Sequence, residues 1–160
     1  MPEGSPESDL PSAQPAAAEP EWIESLDLIR QTYQLIGGPA LFGAELSLIE
    51  RGRAEFRLPI SPLTAGGAAG GVHGGIMAAL IDIAVVSAVR TLCVRGDVMR
   101  GTAELNVSYL RPANGSALLI SGTILKKGSS LAVGDAEVRD DASRLVAKGR
   151  LTYSLGRADR

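Results

Sequence analysis

Residues 76–89 form an apolar run broken by one charged side chain, Asp82, and the run opens on Gly71-Val72-His73-Gly74-Gly75, which holds the only histidine of the chain. No proline interrupts it, and the spacing predicts one helix from about residue 73 to 92. A helix that is apolar nearly all round has to be buried, so the rest of the chain must wrap it. The run is shorter than the ~20 apolar residues that span a bilayer, and it carries an acid. Both points favour a core helix over a membrane segment.

The flanking sequence supplies the wrapping. Trp22, Leu26, Ile29, Tyr33 and Ile36 fall on one helical face, and Gly37-Gly38-Pro39 is expected to end that helix. Phe42, Ala44, Leu46 and Leu48 then alternate with polar or small residues, and after Arg51-Gly52 so do Ala54, Phe56, Leu58 and Ile60. These runs read as a hairpin. A loop covers residues 61–72. Beyond the long helix the period of two returns at 102–109, 116–126, 131–139 and 145–155, with separators of only a few residues that predict antiparallel neighbours. Strands and helices do not alternate, which disfavours a doubly wound parallel sheet. The expected class is α+β: a long central helix wrapped by a curved antiparallel sheet of about six strands.

A chain of 160 residues suits one domain at 21–157, after a disordered tail at 1–20 rich in Pro, Ala, Ser and Glu. Net charge is −2, but seven of the 18 acids and one of the 16 bases lie within residues 1–30, which leaves +4 on the remainder. A mildly basic body suits an anionic small molecule; its bases are scattered, which argues against a nucleic-acid partner. One cysteine, Cys93, excludes an internal disulfide and fits a cytoplasmic location. The N-terminus has neither the basic nor the apolar region of a signal peptide. One His and one Cys argue against a metal site. The glycine loop lacks the lysine and spacing of a phosphate loop, and no G-x-S-x-G elbow accompanies a triad.

The chemistry concentrates on the long helix. Glycines at its start leave backbone N–H groups accessible at the positive end of the helix dipole. Asp82 lies seven residues past Gly75, on the same face but ~10 Å further along the axis. That is too far for both to act on one carbonyl. A two-fold homodimer with these helices antiparallel would bring Gly75 of one copy to Asp82 of the other. The Gly75 N–H would stabilise an oxyanion, while Asp82 attacks the carbonyl or activates water. A carboxylate acts poorly on amides, so a thioester is the natural electrophile. Thr102 heads a strand whose polar face can reach the same place.

Gly71-Val72-His73-Gly74-Gly75 followed by Ala79-Leu80-Ile81-Asp82 resembles the motif of hotdog-fold acyl-CoA thioesterases, in the phenylacetate-degradation branch. The likeness continues through Gly101-Thr102-Ala103-Glu104-Leu105-Asn106-Val107-Ser108-Tyr109-Leu110-Arg111-Pro112-Ala113 and into the later strands, over roughly residues 38–155. The resemblance implies hydrolysis of an acyl- or aryl-CoA to free acid and coenzyme A without a metal or redox cofactor. It implies Asp82 as base or nucleophile and Gly75 as oxyanion donor. His73 and Gly74 would organise the helix start against the substrate, and Thr102 would position water. It also implies a site shared between the subunits of a homodimer or homotetramer. Many relatives carry a polar residue six positions before the histidine, at the substrate; here that position is Gly67. Either turnover is weaker or Thr64 or Thr102 substitutes, and the alternative is a binding-only acyl-CoA protein. An enoyl-CoA hydratase on the same fold is disfavoured because no His follows Asp82. Lys126, Lys127, Arg111, Arg139, Lys148 and Arg150 are candidates for the coenzyme A phosphates.

Overall fold

The computed structural model describes residues 20–35 and 37–158. Except for Pro20, the tail expected at 1–20 lies outside the described residues, and so does Ile36. The elements in chain order are helices α1 (Leu26–Leu35) and α2 (Gly37–Ala40), strands β1 (Glu45–Glu50) and β2 (Arg53–Pro59), and a 3-10 turn at Ala68–Gly70. Helix α3 (Gly74–Thr91) and strands β3 (Asp97–Tyr109), β4 (Ala117–Lys127), β5 (Leu131–Asp140) and β6 (Leu145–Arg157) follow. The strands make one antiparallel sheet in the order β1-β2-β4-β5-β6-β3. This is the six-stranded wrap expected around one apolar helix.

Helix α3 lies against the sheet through Leu80, Ile81, Ala84, Val85, Ala88 and Val89, all fully buried. Phe56, Leu58, Leu118, Ile120, Val138 and Leu151 meet them from β2, β4, β5 and β6. Burying each large aliphatic or aromatic side chain stabilises the fold by about 1.5–3 kcal/mol. The helix comes closest at β4: a Cβ on Gly122 would stand 2.6 Å from the Ala84 carbonyl carbon. Only glycine lets backbone approach backbone there. The C-terminal end of α3 is tied to the β1–β2 turn, where Thr91 Oγ accepts the Gly52 N–H at 2.7 Å. Arg51 donates to the Thr91 carbonyl and stacks 4.3 Å above the Trp22 ring.

Three expectations are corrected. Helix α1 ends at Leu35, just ahead of Gly37-Gly38-Pro39 as expected, but the chain enters the one-turn helix α2 there before it becomes a strand. Proline is tolerated in a first turn, whose N–H groups lack helical acceptors anyway. Phe42, Gly43 and Ala44 then donate to the carbonyls of Pro39 and Ala40, so β1 starts only at Glu45. Within β1 the strict alternation fails. Leu46 pairs with Phe56 but Leu48 with Glu55, so Ser47 is a bulge, and Ile49 rather than Leu48 turns into the core. Finally, β3 and β4 are not neighbours, although only seven residues separate them. Residues 110–116 do not fold back as a hairpin. Leu110 and Arg111 donate to Val146 on β6, and Ala113 accepts from Val72 beside the start of α3. The segment thus crosses from one margin of the sheet to its middle and leaves β3 as an edge strand.

Candidate active site

The start of α3 is built by His73. It sits at the N-cap with φ −61° and ψ 133°, its own N–H bound to the Thr64 carbonyl at 3.0 Å. Its Nδ1 accepts the Gly75 N–H at 3.0 Å. The role of helix-start organiser is what the imidazole performs here, in the manner of an N-cap side chain. The N–H expected to meet an oxyanion is therefore already engaged by the ring. One residue earlier, the Gly74 N–H has no acceptor among the described residues. The Gly74 carbonyl accepts from the Tyr109 hydroxyl at 2.8 Å, and a Cβ on Gly74 would lie 3.3 Å from that ring. Tyr109 stands within the quoted motif, but nothing in its spacing marked this contact.

Asp82 lies two turns further on, half-buried, on the side of α3 that faces the edge strand. Thr102 of β3 donates its hydroxyl to Asp82 Oδ1 at 2.6 Å. That contact brings together two of the residues singled out in the sequence. It leaves Oδ2 as the carboxylate oxygen that Thr102 does not use. Burial, followed by the charge of Asp82, pushes the Tyr153 phenol up on the adjacent strand β6. Other half-open positions on α3 are apolar, among them Ala79, Ile83 and Val86. From Gly74 to Asp82 the helix rises ~12 Å, so within one copy the open amide and the carboxylate serve different places.

Gly67 is not brought to this site as a binding group. Its N–H bonds to the Gly71 carbonyl at 2.8 Å, and a Cβ there would stand 2.3 Å from the Val72 oxygen. The loop backbone occupies the space where the relatives' polar side chain would start. Thr64 does not substitute for it. It is fully buried, and its hydroxyl both accepts the Ser61 N–H at 3.0 Å and donates to the Ser61 carbonyl at 3.1 Å. Thr102 is the hydroxyl that remains.

Beside the open amide lies a recess of about 330 Å³ lined by Val72, Gly74, Met77, Tyr109, Arg111 and Pro112. A larger hollow of about 520 Å³ lies on the outer face of β3, β5 and β6, among Glu104, Asn106, Lys148 and Arg150, and touches neither Asp82 nor His73. Of the candidate phosphate-binding cations, Lys148 and Arg139 face Glu137, Arg150 faces Asp135, and Lys127 reaches Asp97. Arg111 donates to the Leu145 carbonyl and pairs with no carboxylate among the described residues. Burial raises the Cys93 thiol above its ordinary range, which disqualifies it as a thiolate nucleophile.

Comparison with known proteins places this chain in a family. The thioesterase superfamily profile matches residues 69–147, which contain His73, Gly74, Gly75, Asp82 and Thr102. The medium/long-chain acyl-CoA thioesterase YigI of Escherichia coli is 29% identical over 127 residues, covering 71% of this chain and 82% of its own. A Saccharolobus solfataricus protein named as an esterase is 34% identical over 101 residues, covering 62% of this chain and 69% of its own. Among solved structures, a Haemophilus influenzae thioesterase superposes with a TM-score of 0.74 at 21% identity, over 86% of this chain and 94% of that one. A Bacillus halodurans protein solved with CoA is 34% identical, with a TM-score of 0.58 over 63% of this chain and 66% of that one. The chain belongs to the thioesterase superfamily: it is a hotdog-fold thioester hydrolase.

Proposed function

We propose that this enzyme hydrolyses aliphatic acyl-CoA thioesters at a centre shared by two copies of the chain, with Asp82 as the group that activates water. The observation that carries the reading is the Thr102–Asp82 hydrogen bond at 2.6 Å, which holds a carboxylate half-open at the edge of the sheet, in the middle of the apolar run of α3. With Oδ1 committed to Thr102, Oδ2 takes a proton from water as the hydroxide adds to the thioester carbonyl. The resulting oxyanion is stabilised by the helix start of the second copy, where Gly74 offers its unengaged N–H and Gly75 shares its own with His73. Collapse of the adduct breaks the C–S bond, and the proton held on Asp82 passes to the departing thiolate.

Two copies are needed because ~12 Å separates the two halves within one chain. The edge strand β3 supports such an arrangement: it is 13 residues long and unpaired on one side, and Val98 and Tyr109 are exposed along it. A long open edge of this kind is normally covered. A homodimer, alone or paired into a tetramer, covers it. The recess beside Gly74 suits the pantetheine arm of coenzyme A, and Arg111 at its rim is the cation for the phosphates. Coenzyme A enters only as part of the substrate, and the chemistry calls for no metal or redox cofactor. We assign the enzyme to the cytoplasm, where coenzyme A thioesters are used. The aliphatic preference rests on the apolar stripe of Ala79, Ile83 and Val86 and on the acyl-CoA thioesterase among the relatives.

The test is thiol release from a panel of acyl-CoAs by wild type and Asp82→Asn. The variant is expected to lose about a thousandfold in kcat, within the range removed with a general base, while keeping its fold and substrate affinity. Full activity in Asp82→Asn overturns the mechanism. Tight acyl-CoA binding by the wild type with no thiol release overturns the hydrolase reading in favour of a binding protein.

A further inference from the structure

The half-open stripe of α3 has an end. Past Asp82 it presents Ile83 and Val86, and on the flank of the helix beside them is the fully buried Ser87, whose Oγ lies 2.6 Å from the Tyr33 hydroxyl of α1. Ser87 also donates to the Ile83 carbonyl at 2.6 Å, which leaves the Tyr33 O–H as the donor between the two hydroxyls. The Tyr33 ring is held on other sides as well. It meets Phe56 edge-on at 5.6 Å and 80°, and the Arg90 guanidinium lies 5.8 Å from its centroid. Arg90 is itself gripped by both oxygens of Glu24 just before α1. An aromatic ring fixed this way is a wall rather than a flexible flap.

Behind the wall there is room. Tyr33 also lines a recess of about 360 Å³ between the helices and β1, with Ala40, Ala44 and Leu46 as its apolar lining and Arg30 and Glu45 at its sides. Tyr33 thus meets α3 at Ser87, next to Ile83 of the stripe, and with its other side lines this partly apolar recess. We infer that Tyr33 is the end wall of the acyl groove and sets the longest acyl chain the enzyme accepts. The inference rests on the acyl-CoA hydrolase reading above and adds the residue that limits its substrates. Chains short of Tyr33 lie over Ile83 and Val86. Longer ones collide with a ring that Phe56 and Arg90 hold in place.

The experiment measures kcat/KM from butyryl-CoA to stearoyl-CoA for wild type, Tyr33→Ala, Tyr33→Leu and Tyr33→Phe, with a melting curve for each. Wild type is expected to show a cut-off in chain length. In Tyr33→Ala the cut-off moves to longer chains, and kcat/KM for the first chain that wild type rejects rises about tenfold or more relative to the best wild-type substrate, as expected for relief of a clash of one or a few methylenes. Tyr33→Phe keeps the ring and therefore the cut-off. Tyr33→Leu shifts it less than alanine does and carries the test if the alanine variant does not fold. A cut-off that stays in place in a folded Ala or Leu variant overturns the inference, as does a uniform loss across all lengths, which marks a purely structural role. A wild type that cleaves no acyl-CoA is a different failure: it removes the hydrolase reading and this inference with it.

Discussion

Single side chains divide the work in this molecule between chemistry and anchorage, and Asp97 shows the second kind. Its carboxylate is fully buried where β3 begins, and it accepts the Val94 N–H at 2.9 Å and the Lys127 ammonium at 2.6 Å through Oδ2. Arg157 stands 3.0 Å from Oδ1 as a charge rather than an aligned hydrogen bond, so that oxygen has no donor among the described residues. Burial alone would raise the carboxyl, but the Lys127 bond, the Val94 N–H and the two cations outweigh it and hold Asp97 below its usual range. A depressed acid stabilises the fold above the unfolded carboxylate pKa of about 3.9. That contribution is lost as the pH falls through the lowered folded value. Asp97→Asn is therefore expected to cost about 2 kcal/mol at neutral pH in urea unfolding, and the gap to wild type should narrow steadily below about pH 4. A gap that is independent of pH would assign the loss to packing instead. Asp82 and His73 were legible in the sequence because each is the one residue of its kind in a distinctive run. Asp97 was not, since its partners lie 30 and 60 positions away and leave no periodic trace.

Elements were legible wherever burial enforces a period. Helix α3, the β1–β2 hairpin and the four later strands appear at their expected places, β3 five residues longer at its start, because each hides one face. What periodicity misses is the partner of each strand. A separator of a few residues predicts a hairpin, but between β3 and β4 the carbonyls of Val146 and Ala113 hold the chain along a crossing path. The Ser47 bulge escaped for a related reason: it is fixed by pairing with β2. The seat of α3 on β4 depends on a missing side chain. Gly122→Ala would place a methyl 2.6–2.7 Å from the backbone of Ala84 and Val85. Neither neighbour is a flexible chain end that can step aside. The helix must lift, at a cost of about 1–3 kcal/mol, and Asp82 lifts with it. A fall in melting temperature together with a fall in kcat is the expected outcome, whereas Gly43→Ala, where a Cβ meets nothing, tests the strained φ of +74° alone.

The whole molecule, on the reading above, is half of an enzyme. If Asp82 of one copy faces the helix start of another, two separately inactive chains repair each other. Asp82→Asn removes the carboxylate. Gly74→Pro removes the open amide at a first helical position, where proline is otherwise accepted. Unfolded together and refolded as a mixture, the two should regain about a quarter of wild-type activity, since half of the dimers are mixed and each has one complete centre. Neither variant alone should recover. Recovery of nothing, with both variants folded and dimeric, would place the carboxylate and the amide of one centre in the same chain.

The position of β3 also governs when the molecule can assemble. Residues 97–109 find their sheet partner only in residues 145–157, made some forty residues later. Until that last strand has left the ribosome, the strand that carries Thr102 has no ladder to join, and Asp82 has nothing to hold it. A nascent chain interrupted before β6 exposes an apolar helix and an unpaired strand at once, which is the state that chaperones capture and that aggregates when they do not.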